Sequence, residues 1–232
     1  CREFNMHLVE DAAQAMGTKD AAGDSLKFCG TLGVAGAFSF FPTKNLGCTG
    51  DGGLVVTDDA DMADRIRALR NHGQRERYRF EEIGLNARLD ALQAAILGVK
   101  LNHLDSYVAR RREIAALYRS LFRKHGLDGT VSLPHIPPAP DLHSYHQFVI
   151  RTPMRDELKA FLADRGIGTA VYYPLPIHLQ PAFEHLGYKP GDAVESERAA
   201  KEVLALPIFP ELERDEVEEV VGAIADFFGA TR

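Results

Sequence analysis

The sequence predicts an α/β protein built in two parts, and three observations predict it. Short apolar runs that end in polar residues alternate with amphipathic helical patterns along the chain, the pattern that yields a sheet covered by helices. A long helical pattern over 88–125 interrupts this alternation, and a helix of that length commonly bridges two domains or carries a subunit interface. Beyond it, strands and helices alternate again on a smaller scale. A chain of 232 residues, 45% hydrophobic, can bury two modest cores. The expected division is therefore a larger domain over 1–105 and a small α/β domain over 106–232, joined by the long helix.

The elements follow in order. Met6-His7-Leu8-Val9 reads as a short apolar strand ending in Glu10-Asp11. Acidic and amide groups at the carboxyl end of a strand are where open α/β sheets hold ligands. Asp11 could equally cap a short following helix. Residues 17–33, rich in Gly, Asp, Thr and Lys, read as a loop. Small and aromatic residues then alternate from Ala35 to Phe41, which suits a buried strand, and Pro42 closes it because it cannot donate to a ladder. Gly50-Asp51-Gly52-Gly53 reads as a hairpin turn ahead of a strand at Leu54-Val55-Val56-Thr57. Asp58, Asp59 and Asp61 open a helix that runs to Asn71, with Gly73 just past its end. Met62, Ile66 and Leu69 form its apolar stripe. Residues 73–87 read as a polar loop.

The long helix carries Leu89, Leu92, Ile96, Val99, Leu104, Ile114, Leu117 and Leu121 at helical spacing, with a bend expected at Asn102 to Ser106. After it come a strand from Val131 to Ile136 and a stiff Pro137-Pro138-Ala139-Pro140 connector. A strand from His146 to Arg151, a helix from Arg155 to Asp164 ending at Gly166, and a strand from Ile167 to Tyr173 follow. Helices are expected near Pro181 to His185, Glu195 to Leu204, and Arg214 to Phe228, with Pro207 and Pro210 punctuating the last gap.

Composition excludes several classes. The net charge is −6, so no overall basic character points to nucleic acid. Arg110-Arg111-Arg112 lies within a helical pattern and reads as a solvated face or subunit contact. Arg75 to Arg79 surround Tyr78 in the polar loop and could meet an anionic ligand. Three cysteines without CxxC spacing give neither a disulfide framework nor a zinc motif, which fits a reducing cytoplasmic setting. No run is long enough to span a bilayer and no signal peptide is visible. His143 and His146 have no third ligand at a useful spacing, so no metal is expected.

The residue with the most chemistry is Lys44. It follows an apolar strand and a proline and sits in a glycine-flanked loop at the lip of a core. Desolvation there would lower its pKa and make it an amine nucleophile toward a carbonyl. The alternative is an ordinary solvated loop lysine.

The surrounding motifs weigh against that alternative. They are Val9-Glu10-Asp11-Ala12-Ala13-Gln14-Ala15, Phe38-Ser39-Phe40-Phe41-Pro42-Thr43-Lys44-Asn45 and Gly50-Asp51-Gly52-Gly53. Next come Gly84-Leu85-Asn86-Ala87-Arg88-Leu89-Asp90 with Leu92-Gln93-Ala94-Ala95-Ile96-Leu97, then Tyr172-Tyr173-Pro174 with Ile177-His178-Leu179-Gln180-Pro181-Ala182-Phe183. In this order, along almost the whole chain, they resemble the pyridoxal-phosphate sugar aminotransferases of the DegT/DnrJ/StrS type. Each motif alone is weak; the ordered set is specific.

That resemblance implies the type I fold of pyridoxal-phosphate (PLP) transferases, here the back part of the large-domain sheet plus the small C-terminal domain. It implies Lys44 as the Schiff-base lysine and later as the base that moves a proton between substrate and cofactor. It implies Asp11 as the partner of the pyridine nitrogen and Gln14 against the cofactor ring. Ser39 would donate to the cofactor phosphate. Asn86 would reach the phosphate of a neighbouring subunit, so the active unit would be a homodimer with a shared site. His178, with Tyr173 and Arg88 as weaker candidates, would contact a sugar. Each has a plainer role available: Gln14 on an exposed helix face, Asn86 as a helix cap, His178 as a loop imidazole, Tyr173 and Arg88 as packing residues.

Relatives that remove a hydroxyl carry histidine where this chain has Lys44, so lysine implies transamination. The implied reaction loads the cofactor from an amino acid, glutamate, and passes the amine to a keto sugar linked to a nucleotide. A non-catalytic PLP-binding regulator on the same fold would keep Lys44 and Asp11 as well. A nucleotide-binding module using the Gly50 to Gly53 cluster is a third reading, but that cluster precedes a strand and lacks both the Walker and GxGxxG patterns. Family members begin with further strands that carry a phosphate-binding loop and an aromatic residue that stacks on the ring. The chain opens at Cys1 as if in mid-domain, so a preceding portion is expected, and these 232 residues alone are expected to be weakly active or inactive.

Overall fold

The computed structural model describes residues 1–22, 25–135 and 142–229. The predicted Pro137–Pro140 connector and Ile136 lie outside them. The chain divides into two compact units. The first holds Cys1–Ala109 and a returning segment that ends at His146; the second takes up the chain at Arg110 and again at Gln147.

A mixed three-stranded sheet, in the order β1-β4-β5, forms the frame of the first unit. β1 (Val9–Asp11) runs parallel to β4 (Ala35–Ser39), with Val9 opposite Ala35 and Asp11 opposite Ala37. β5 (Gly53–Val56) runs antiparallel to β4, with Ser39 opposite Gly53. The predicted β1 begins later than expected: Met6 and Leu8 precede it and are exposed. β4 ends at Ser39, because Phe40 leaves the ladder to bond across the loop base: its N–H reaches the Gly52 carbonyl at 2.8 Å. The expected hairpin turn is thus the far end of a wide loop between β4 and β5, and that loop carries Lys44.

Two stretches read as loops are paired instead. β2 (Lys19–Ala22) and β3 (Ser25–Phe28) form an antiparallel ribbon, as do β6 (Gln74–Glu76) and β7 (Arg79–Phe80). Both are short and mostly exposed where described; only Ser25 to Phe28 alternates polar with apolar, and four residues are too few to mark a strand within a polar stretch. In the second ribbon Arg75 is committed to Asp64 at 2.7 Å and Glu81 at 2.6 Å.

α1 (Ala60–Leu69) starts as its acidic residues predict: Asp59 Oδ1 accepts the Met62 N–H at 3.0 Å. The long helix is two helices, α2 (Ala91–Leu101) and α3 (Leu104–Lys124), interrupted at Asn102 and His103. The expected bend is therefore a break. Phe40, Leu46, Cys48, Leu97, Leu104 and Val108 form a buried cluster in this unit.

In the second unit β8 (Phe148–Arg151) pairs antiparallel with β9 (Val203–Leu206). β9 occupies residues expected to end a helix: α5 (Val194–Glu202) stops at Glu202, where the run Val203-Leu204-Ala205-Leu206 enters the sheet. The expected strands at Val131 and at Ile167–Tyr173 are reduced to isolated bridges, Ser132 to Arg151 and Ala170 to Ala205. His143 and His146 precede β8 rather than lying on it. α4 (Arg155–Ala163) and α6 (Arg214–Phe228) fall where expected, and Phe161 meets Phe227 edge-on at 5.2 Å between them. Tyr118, Phe122, Phe148, Ile150, Leu158 and Leu204 are fully buried.

Arg110 and Arg111 do not form a solvated face. They and Tyr118 fasten the segment after β9: Arg110 donates to the Leu212 carbonyl at 3.1 Å, Arg111 to Ile208 at 2.8 Å, and Tyr118 to Pro207 at 2.8 Å. Burial pushes the Arg111 guanidinium down to about 10, so it stays charged at neutral pH.

Candidate functional site

The first unit gathers a carboxylate, a hydroxyl and a lysine at one end of its sheet. Asp11 is the last residue of β1, and its register partner is Ala37. Ser39 lies two residues farther along β4, about 7 Å away at the rise of a strand. Residues two apart share a face, so Asp11, Ala37 and Ser39 lie on the same side. Asp11 is exposed, and its Oδ1 accepts the Ala13 N–H at 3.1 Å. This local turn replaces the expected helix cap. Gln14 lies in the same turn and is exposed.

Ser39 Oγ accepts the Phe41 N–H at 3.2 Å. That contact uses a lone pair and leaves the hydroxyl proton for another acceptor. Lys44 closes a tight turn with Pro42 at its second position, its N–H bonding the Phe41 carbonyl at 2.9 Å. Its side chain is half-buried.

Neighbours fix this turn from several directions. Asn45 is buried and its Nδ2 donates to the Ser144 carbonyl at 3.1 Å. Lys100 donates to the Gly47 carbonyl at 2.6 Å. The Cys48 N–H reaches the Phe40 carbonyl at 2.9 Å. A Cβ at Gly47 would meet the Pro42 carbonyl oxygen at 2.5 Å, so the chain can double back there only without a side chain.

Glu10, singled out in sequence only as the neighbour of Asp11, organises the opposite face. Its carboxylate accepts N–H groups from Gly30 at 2.7 Å, Leu32 at 2.6 Å and Gly33 at 2.8 Å. Burial pushes this carboxyl up, but the donated bonds from Gly30, Gly33 and Leu32 outweigh it and hold the group below the usual carboxylate range.

Asn86 and Arg88 are bound elsewhere in the same unit. Asn86 forms an antiparallel bridge with Asn71, and Arg88 donates to Asn71 Oδ1 at 2.9 Å, both at the carboxyl end of α1. Asn86 does not cap α2; Asp90 occupies the cap position.

The second unit holds Tyr173 and His178. Tyr173 is exposed and meets Tyr172 edge-on at 5.6 Å. His178 sits on a 3-10 turn (Ile177–Leu179), with Nε2 3.0 Å from Glu197 Oε1 on α5. Nothing in sequence marks Glu197, because the two residues stand 19 apart in no motif.

The fold is α/β, of the type I PLP-dependent transferase class to which its solved neighbours belong, with a lysine in the loop beyond the end of β4 and an acidic residue at the end of β1. The family model of the DegT/DnrJ/EryC1/StrS aminotransferases matches residues 1–225, and the chain belongs to that family. It is 48% identical to the "pleiotropic regulatory protein" of Geobacillus stearothermophilus, over 98% of this chain and 59% of that protein. It is 44% identical to the dTDP-3-amino-3,4,6-trideoxy-alpha-D-glucose transaminase of Streptomyces venezuelae, over 96% of this chain and 56% of that one. The crystal structure of S. venezuelae DesV in complex with a ketimine intermediate superposes with a TM-score of 0.86 at 42% identity, over all of this chain and 60% of that one. The chain thus spans about three fifths of the length of these relatives. Among the described residues, no helix is long and apolar enough to cross a membrane.

Proposed function

We propose that this chain is part of a PLP-dependent aminotransferase that moves an amino group from an amino acid, glutamate, to a nucleotide-linked keto sugar. One observation carries the reading: Asp11, Ser39 and the fixed turn of Lys44 share one end of the β1–β4 sheet. This donor set fits PLP, which needs a primary amine for its aldehyde, a carboxylate for its ring nitrogen and donors for its phosphate. When bound, PLP supplies the electron sink that stabilises a carbanion next to the transferred nitrogen.

The residues divide the remaining work. Asp11 holds the ring nitrogen protonated, since an opposite charge favours the charged form. Gln14 lies against the ring, and Ser39 donates its free hydroxyl proton to the phosphate. Lys44 would hold PLP through its aldehyde, and its free amine would be the base that moves the proton at the substrate carbon. Asn86 reaches the phosphate in a partner subunit, so the working unit is a homodimer; the cysteine usage supports a cytoplasmic setting. His178, Tyr173 and Arg88 contact the sugar. The transaminase name of the S. venezuelae relative supports this assignment.

A second reading, a PLP-binding regulator without turnover, is favoured by the name of the G. stearothermophilus relative. An absorbance spectrum of the protein, expressed from its full reading frame with PLP added, separates the two. The aminotransferase reading expects a visible band that is absent in Lys44→Ala and bleaches when glutamate is added. A Lys44-dependent band that no amino acid bleaches assigns the regulator instead. Absence of any band overturns both.

A further inference from the structure

His178 is held by a single carboxylate oxygen that also fastens the loop beside it. Glu197 Oε1 accepts the Gly191 N–H at 2.7 Å and the Ala193 N–H at 3.4 Å, and lies 3.0 Å from His178 Nε2. The side chains of His178 and Glu197 are only 12% and 17% exposed. The Tyr188 ring stands edge-on to the imidazole, at 6.3 Å and 85°. The ring is thus held at one nitrogen and flanked by an aromatic.

The chemistry of the contact decides which nitrogen carries the proton. The Gly191 N–H holds the Glu197 carboxyl below its usual range against the opposing effect of burial, with His178 and Ala193 adding to it. An ionised carboxylate has only lone pairs to offer, so His178 Nε2 must bring the hydrogen. A neutral imidazole has one N–H, and the bond at one nitrogen therefore fixes the state of the other.

We propose that Glu197 is a positioning residue that fixes His178 as the Nε2–H tautomer, so that Nδ1 accepts a hydrogen bond from a hydroxyl of the sugar substrate. The proposal rests on the sugar reading for its ligand but not for its tautomer. A bare Nδ1 matches a donor such as a hydroxyl and opposes a phosphate or carboxylate, which have nothing to donate. The subsite therefore selects a neutral hydroxylated ring while the imidazole is uncharged. Protonation turns Nδ1 into a donor and ends that preference.

The charged and titratable groups around the pair belong to three elements. On α5, Glu195 is paired with Arg198. In the loop before it, Asp192 Oδ2 accepts the Lys189 N–H at 2.8 Å. On the preceding 3-10 turn (Pro181–Leu186), Glu184 and His185 are exposed to solvent. Glu197 is thus the carboxylate in hydrogen-bond contact with the ring.

The test is a ¹⁵N NMR titration of histidine in the full-length, PLP-loaded protein, with His178 assigned by His178→Gln. Above the range where the imidazole is charged, the expected wild-type spectrum shows protonated Nε2 and bare Nδ1. In Glu197→Leu, which leaves Nε2 without its acceptor, that preference should be lost. The KM for the keto sugar should rise about threefold to tenfold, the scale of one hydrogen bond between uncharged groups. An Nδ1–H tautomer in the wild type overturns the proposal even if Glu197→Leu fails to fold. So does an Nε2–H preference that Glu197→Leu leaves in place. Failure of the sugar reading looks different: the Nε2–H tautomer is present, but no keto sugar is turned over.

Discussion

Asn45 donates its side-chain amide to the backbone carbonyl of Ser144 at 3.1 Å, across 99 residues of sequence. Both residues are buried in the first unit, Asn45 at 7% exposure and Ser144 at 1%. Asn45 follows Lys44 directly, so this bond anchors the lysine turn to the returning segment. Thr18 fastens the same segment, its hydroxyl donating to Ser144 Oγ at 2.8 Å.

Asn45→Ala leaves the Ser144 carbonyl buried without that donor. The expected cost is about 1–3 kcal/mol of unfolding free energy, the penalty for one stranded buried polar group. Urea denaturation measures it directly. PLP loading should slow as well, because the lysine turn loses an anchor. A variant of unchanged stability would mean that the segment relaxes to re-pair Ser144.

Gly36→Ala tests the packing of the opposite face. A Cβ at Gly36 would sit 2.0 Å from the Gly30 carbonyl oxygen and 2.6 Å from its Cα. Backbone, rather than a flexible side chain, fills that space, so loop and sheet must separate. Forced overpacking typically costs about 1–3 kcal/mol, and a backbone clash belongs at the upper end. The expected result is a lower melting temperature together with faster hydrogen exchange at the Leu32 and Gly33 amides, whose bonds to Glu10 depend on that approach.

The parts of the fold that sequence revealed are those with a local physical signature. The acidic start of α1 was legible because Asp59 caps its own helix, and α4 and α6 because their apolar stripes repeat at helical spacing. Lys44, Asp11 and Ser39 were legible as a set because each lies in a contiguous motif. The β2–β3 and β6–β7 ribbons were not, since their strands are at most four residues long and the alternation at Ser25 to Phe28 is too short to stand out from the polar stretch around it. Val203 and Leu204, the first half of β9, read in sequence as the end of a helix because they follow α5 without a breaker. Glu10, Asn45 and Glu197 escaped for a different reason. Each acts through partners distant in sequence, at Gly30, Ser144 and His178 respectively.

Glu10 yields a prediction about pH. Its carboxyl lies below the usual range in the folded chain, because the three donated N–H bonds outweigh the opposing effect of burial. A depressed folded value means that the unfolded chain takes up the proton first as the pH falls. The contribution is therefore complete above the unfolded carboxylate value of about 4.3, and is lost as the pH drops toward and through the folded value. Glu10→Gln keeps the shape and an acceptor oxygen but removes the charge. Its melting temperature should lie below that of the wild type at pH 7, and the gap should close progressively below about pH 4, as the wild-type carboxyl is neutralised. Thermal melts of both proteins between pH 7 and pH 3 provide the measurement. Equal melting temperatures across that range would assign the role of Glu10 to shape alone, with its three N–H partners served equally well by a neutral amide.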